Sequence, residues 1–365
     1  MSSDNGLKMN DYSLKGVFSS FFSRNGDSDK KRQDGKPAID IPLQGTKYEQ
    51  LRLKNLIDTV AVSPTAKKIL EDAKAAGYTI ALQNTKNCYG KCDAVNKVLY
   101  LNPSVPDEKL ATTLVHEARH AQQHTRGTPN NVLQYDVATE LKLRRATEAD
   151  AQAAALQAAL EIRAATKDSS ILNAFEKSDR NIVSAVAVPP LSASLEEVCA
   201  AQAVNMQAAF KGWFKEKRII DAYEESYLVK PLKYVYTQMA KDSSFCDKVK
   251  MNQSLDSKAI TEIVCVAADG RSYFEKTPDV LDKTPEMCGM RDETRKVADT
   301  FFKARQDLTG APKDTSYDKL PSRNQNQTNA PSPAKQSLQE KLAQIQQMKE
   351  QQSKASARIA ANYGR

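Results

Sequence analysis

The sequence predicts an α+β fold that is mostly helical, and three observations carry that expectation. Apolar residues recur at helical spacing over long stretches, most densely in the strongly helix-forming run R-R-A-T-E-A-D-A-Q-A-A-A from Arg144 to Ala155. Only two runs ahead of it, Tyr78 to Gln83 and Ala94 to Leu101, read as paired strands, so the sheet is small. Aromatic residues make up 7% of the chain and charged residues 27%, which suits solvated helices around an alanine-rich body.

Taken in order, residues 1–45 mix Ser, Asn, Gly, Asp and Lys and read as a disordered leader. Within it, Tyr12 to Phe22 has the spacing of a short amphipathic helix that could dock on a partner or a membrane surface. Apolar spacing becomes regular from Tyr48, and Ser63-Pro64 starts a helix over Thr65 to Ala76 that Gly77 ends. The two strands follow, separated by the turn-rich stretch Asn84 to Cys92 and closed by Asn102-Pro103. Pro106-Asp107-Glu108 opens the next helix with acidic residues where the helix dipole favours them. It runs from about Asp107 to His124, and Gly127 supplies the stop. A second long helix is expected from near Asn131 to Ala165.

Beyond Lys167 the pattern stays helical over Ser194 to Glu216, over the tyrosine-rich Ala222 to Met239 and over Arg291 to Leu308, with a β-prone run at Ile260 to Ala267. Gly310 to Pro333 turns to Pro, Ser, Asn and Gln, and Ser337 to Asn362 is a last helix candidate. The expected organisation is a leader (1–45), a domain at 46–167, a helical companion region at 168–310, a linker at 311–336 and a basic C-terminal helix at 337–365. Residues 311–365 hold nine basic and four acidic residues, so they supply +5 of the net +8. A solvated or partner-binding helix accounts for that excess better than nucleic-acid binding does.

The overall excess, 53 basic against 45 acidic residues, is mild for 365 residues and does not by itself point to nucleic acid. Six cysteines spread over about 200 residues do not form a disulfide framework and suit free thiols in a reducing cytoplasm. Cys88 and Cys92 lie close together, but with no second pair at matching spacing they read as incidental thiols rather than a redox or metal clip. Met1 to Asn10 is polar and Val17 to Phe22 is short, so no cleaved signal is expected, and no apolar run reaches the ~20 residues of a membrane helix. The expected location is the cytoplasm, with export by a route that uses no cleaved signal as the other reading.

The chemistry concentrates in L-A-T-T-L-V-H-E-A-R-H-A-Q-Q-H-T-R-G, Leu110 to Gly127, which holds all three histidines of the chain. His116 and His120 are spaced i, i+4 and so share one helix face about 6 Å apart along the axis, close enough to hold one zinc ion. Glu117 can then act as general base toward water at that ion. The bland alternative, two histidines on a surface helix, fits poorly with the apolar stretch that leads into the motif. His124 lies about 12 Å along the axis from His116, and Gln122-Gln123 offers no glycine turn to bring it back, so a place behind the ligands or at the surface is expected. A carboxylate on the following helix is the better third ligand. Glu148 is preferred, Asp150 is the alternative, and Glu140 and Glu161 are lesser options. Whichever of Glu148 and Asp150 is not a ligand could orient a ligand histidine instead. Tyr100, Tyr135, Arg119 and Arg145 are candidates for an oxyanion stabiliser, and Arg119 could equally be a structural strut to an acid.

L-V-H-E-A-R-H-A followed by E-A-D-A on the next long helix resembles bacterial metallopeptidases of the H-E-A-R-H type and is similar, more distantly, to gluzincin-like ImmA/IrrE peptidases. The resemblance covers about residues 78–160. It implies a minimal zincin-like core, His116, His120 and Glu148 as zinc ligands, Glu117 as base, and a peptide or protein as substrate. The motif carries Arg119 and lacks the aromatic and proline residues that usually follow the glutamate helix in ImmA/IrrE peptidases. The expected function is therefore zinc-dependent peptide hydrolysis, with a non-catalytic scaffold on the same fold as the alternative.

Overall fold

The computed structural model describes residues 38–86 and 88–323. The amphipathic stretch Tyr12 to Phe22, most of the expected leader, the second half of the linker and the basic C-terminal helix lie outside the described residues. The described chain is an α+β fold, mostly helical, with one three-stranded sheet.

Helix α1 (Lys47–Val60) starts at a capping box in which the Thr46 hydroxyl and the Glu49 carboxylate satisfy each other's backbone amides. Ser63 and Pro64 open α2 (Pro64–Ala75), as the sequence predicts. The sheet has the order β1-β3-β2, with β1 (Thr79–Leu82) parallel to β3 (Val98–Leu101) and β2 (Gly90–Asp93) antiparallel to it. The expected second strand is thus shorter than its apolar run. Ala94 to Lys97 form the turn of a hairpin, with Lys97 in the left-handed region at φ 54°. The unexpected strand β2 lies in the stretch read as turn-rich. Gly, Lys, Cys and Asp are weak strand formers, so pairing with β3 and contact with the next helix define it.

Helix α3 (Asp107–Thr125) carries the HExxH and packs against β2 and β3. Gly127 follows it at φ +101°, the conformation that makes glycine the natural stop. Helix α4 (Val137–Thr166) begins later than its helical composition suggests, because the Asp136 side chain accepts from the Thr139 amide and defines the first turn. It is buried on nearly every side, and its alanines let α3, α5 (Ser170–Val183) and α7 (Gln202–Trp213) approach closely. One apolar cluster runs from Ile39 to Met287, so both sides of residue 167 contribute to the same core.

The remaining helices are α6 (Leu195–Ala200), α8 (Lys217–Glu224), α9 (Lys230–Met239), α10 (Ser257–Val264), α11 (Pro285–Cys288) and α12 (Asp292–Thr309). A π-turn at Glu225–Val229 joins α8 to α9. The run read as β-prone at Ile260 is helical up to Val264, because Asp256 caps the Ala259 amide and the apolar residues Ile260 and Val264 fall one turn apart on the buried face. Among the described residues, no helix is long and apolar enough to cross a membrane.

Candidate metal centre

Helices α3 and α4 cross so that His116, His120 and Glu148 converge. The two Nε2 atoms are 3.0 Å apart, and Glu148 Oε2 lies 3.5 Å from that of His116 and 3.6 Å from that of His120. A tetrahedral ion bound at about 2.0–2.1 Å to nitrogen and oxygen spaces its ligand atoms about 3.3 Å apart, so the triangle has the size a zinc-like ion requires. The other Glu148 oxygen, Oε1, accepts from the Tyr227 hydroxyl at 3.0 Å, which leaves only Oε2 facing the histidines.

The group charges follow from this crowding. Burial acts to raise the Glu148 carboxyl, but the two imidazoles outweigh it and hold it well below the usual range. Burial acts to lower the His120 imidazole, and the facing Glu148 charge reverses that and raises it to about 9. Glu117, buried next to the pair, is pushed up mainly by burial. In the metal-free site the Glu148 charge is therefore balanced by a proton on His120.

These residues form the floor of a cavity of about 710 Å³. It follows one face of α3 from Lys109 through His116 and His120 to His124, with Tyr89 to Cys92 on one side and Tyr223 and Tyr227 on the other. Strand β2 is the edge of the sheet. The Asn102 amide donates to the Tyr89 carbonyl, and this register turns the backbone groups of Gly90 and Cys92 away from β3. Gly90 is required for close approach: a Cβ there would lie 2.7 Å from Thr113 Cγ2 and 2.8 Å from Glu117 Cγ.

Asp150 does not join the three. Fully buried, it binds Arg119 through both oxygens, at 2.7 Å and 2.9 Å, and also accepts from Gln123 and Tyr273. Arg119 is accordingly a strut within the HExxH turn. Glu140 binds Arg144 and the amides of Gln134 and Tyr135, while Glu161 receives the Ser63 and Thr65 hydroxyls at the start of α2. His124 lines the cavity, with Nδ1 2.9 Å from the Thr128 carbonyl, and burial lowers its imidazole.

Of the four oxyanion candidates, Arg119 is taken by Asp150 and Arg145 by Glu224. Tyr100 and Tyr135 do not line the cavity. Tyr223 and Tyr227 do line it and are among the side chains that the sequence did not connect to the site. Their rings stack at 5.6 Å and 7°, and the Arg144 guanidinium lies 5.8 Å from the Tyr227 ring. The Tyr223 hydroxyl is raised by burial and by the Glu148 charge, and the Tyr227 hydroxyl by the Glu148 charge and by burial. The available signal was the tyrosine-rich run itself, with two tyrosines at i, i+4. A π-turn, common at functional sites, begins just after Tyr223 and contains Tyr227.

No curated protein and no solved structure matches the chain. A family model does match, over residues 31–274, a span that takes in the whole wall of the cavity and ends one residue beyond Tyr273. That span is well over half of the chain, and the protein belongs to the family it defines, described as "Putative metallopeptidase family (DUF6782)".

Proposed function

We propose that the protein is a zinc-dependent peptidase that hydrolyses peptide bonds at the centre made by His116, His120 and Glu148, with Glu117 as general base. The observation that carries this reading is the triangle of two imidazole nitrogens and one carboxylate oxygen, beside a buried glutamate, on the floor of an open cavity. Three protein ligands with a fourth position free is the donor set of a catalytic zinc site, whereas structural sites close all four. When bound, the ion would supply Lewis-acid polarisation of the scissile carbonyl and would acidify water in the site.

The chain's own residues do the rest. Glu117, its carboxyl raised by burial, takes the proton of the attacking water and passes it to the leaving amine. The Tyr223 hydroxyl stays protonated at neutral pH and serves as donor to the oxygen on which charge develops, while the Tyr227 hydroxyl holds Glu148 Oε1. The outward backbone groups of Gly90 and the Cys92 carbonyl let an extended substrate add to the sheet edge as a further strand, while the Cys92 amide faces Glu117. The free thiols of all six cysteines suit a reducing compartment, and on that ground we place the protein in the cytoplasm.

Glu117→Gln tests the chemistry, because it keeps the shape of the side chain and removes the base. Zinc content should stay near one ion per chain while cleavage of unfolded casein falls by on the order of 1,000-fold or more. Cleavage at the wild-type rate would overturn the mechanism.

A further inference from the structure

The two histidines of the centre are held differently. His116 Nδ1 is buried with no hydrogen-bond partner, whereas His120 Nδ1 lies 2.8 Å from Gln123 Oε1. Behind Gln123 the contacts continue. Its amide nitrogen donates to the Thr147 carbonyl at 3.0 Å and to Asp150 Oδ2 at 2.7 Å. Asp150 in turn is gripped by Arg119 on both oxygens and by the Tyr273 hydroxyl at 2.9 Å, and Arg119 also donates to the Val266 carbonyl at 2.7 Å.

We infer that Gln123, Asp150 and Arg119 form a positioning relay that fixes the tautomer of His120, resting on the reading of the centre as a metal site. The logic is one of elimination. A primary amide has two N–H donors and one carbonyl oxygen, and here both donors meet groups that can only accept, a backbone carbonyl and a carboxylate. Rotating the amide by half a turn would set its oxygen against those two acceptors, so the observed orientation is forced. Gln123 Oε1 therefore faces His120 as an acceptor, and His120 must carry its proton on Nδ1. Nε2 is left with a lone pair aimed at the point that Glu148 and His116 share.

The arrangement differs from a carboxylate bound directly to a ligand histidine, because the amide insulates the imidazole from the Asp150 charge. Arg119 and Tyr273 spend that charge elsewhere. The relay also gives Asp150 a role without metal contact and accounts for an arginine inside the motif. Through Val266 and Tyr273 it ties the crossing of α3 and α4 to the segment after α10, so the ligand geometry depends on a part of the chain more than 100 residues away in sequence.

The test is the zinc dissociation constant, measured by competition with a fluorescent chelator. Gln123→Met preserves volume and removes the acceptor, and zinc should bind between about tenfold and 100-fold more weakly. Gln157→Met is the control. That glutamine is as buried, lies on α4 and hydrogen-bonds Glu161, Val198 and Asn205, none of them in the relay, so zinc affinity should stay within about threefold of wild type. Tyr273→Phe removes only the hydroxyl on Asp150 and should weaken zinc binding between about twofold and tenfold, which keeps the test intact if Gln123→Met does not fold. Nitrogen chemical shifts of the zinc-loaded wild type should place the His120 proton on Nδ1. Equal losses in the two glutamine variants, unchanged affinity in Gln123→Met, or, if that variant does not fold, unchanged affinity in Tyr273→Phe would overturn the relay alone. A wild-type chain that takes up no zinc would overturn the metal reading and the relay with it.

Discussion

On the proposed function zinc and a proton would compete for one atom in this site, and the competition can be measured. His120 Nδ1 already holds a hydrogen on the Gln123 side, so the further proton of the metal-free imidazolium sits on Nε2, between His116 and Glu148. Burial alone would make that proton leave easily, but the Glu148 charge retains it up to about pH 9. An ordinary histidine, near 6.5, is neutral by about pH 8 and its metal affinity stops responding there. His120 should instead let zinc affinity climb close to tenfold per pH unit from about pH 7 to about pH 9, roughly 100-fold in all. The stability of the metal-free protein should move the other way. The folded value lies above the unfolded one, so the stabilisation is complete below about pH 6.5 and is lost as pH rises through about 9. The gap between those values is worth about 3 kcal/mol. Chelator competition reads the first trend. Denaturant unfolding of metal-free wild type, minus the same series for His120→Asn, reads the second. A zinc affinity that is flat above about pH 7.5, or a wild-type advantage that grows toward about pH 9, would refute the charge assignment.

Other perturbations isolate other parts. In Gly90→Ala the added methyl must push Thr113 and Glu117 away by nearly 1 Å to restore ordinary contact at about 3.5–4 Å. Stability should fall by about 1–3 kcal/mol and casein cleavage by about 100-fold with zinc content unchanged; cleavage at the wild-type rate would show that β2 does not position the base. Tyr223→Phe removes one hydroxyl from the cavity and should lower kcat by about 100-fold to 1,000-fold while zinc content and KM hold, and an unaltered kcat would remove Tyr223 from the mechanism. Glu224 is buried among Arg145, Arg291 and Arg323, the residue that follows Tyr223 meeting the arginine one turn before Glu148. Glu224→Gln leaves those cations facing a neutral amide and should cost about 3 kcal/mol or more in denaturant unfolding, so a loss below about 1 kcal/mol would contradict the packing described.

The centre was legible where local rules decide it. The i, i+4 spacing of His116 and His120 places them on one face whatever surrounds them, and Asp107, Glu108 and Gly127 bound their helix within one residue of expectation. Glu148 and Asp150 were readable as a pair pointing to different sides of a helix, but not as to which side faces α3, because that depends on how two helices cross. The arginine that captures Asp150 was visible only as a strut with several potential partners. Tyr227 was hidden more deeply. It lies 79 residues from Glu148 in sequence, and only the packing of α8 and its π-turn on α4 brings it there. Strand β2 was hidden for a related reason, since its residues favour turns and only the neighbouring strand and helix make them extended.

The most direct test of the account is the metal content of the protein after zinc loading and dialysis, measured by mass spectrometry for wild type and Glu148→Gln. Wild type should retain about one zinc ion per chain, and the isosteric variant, which replaces the ligand carboxylate by an amide, should lose most of it. A wild-type chain that emerges empty, or a Glu148→Gln chain that keeps a full equivalent, would contradict the assignment of His116, His120 and Glu148 as the centre of this molecule.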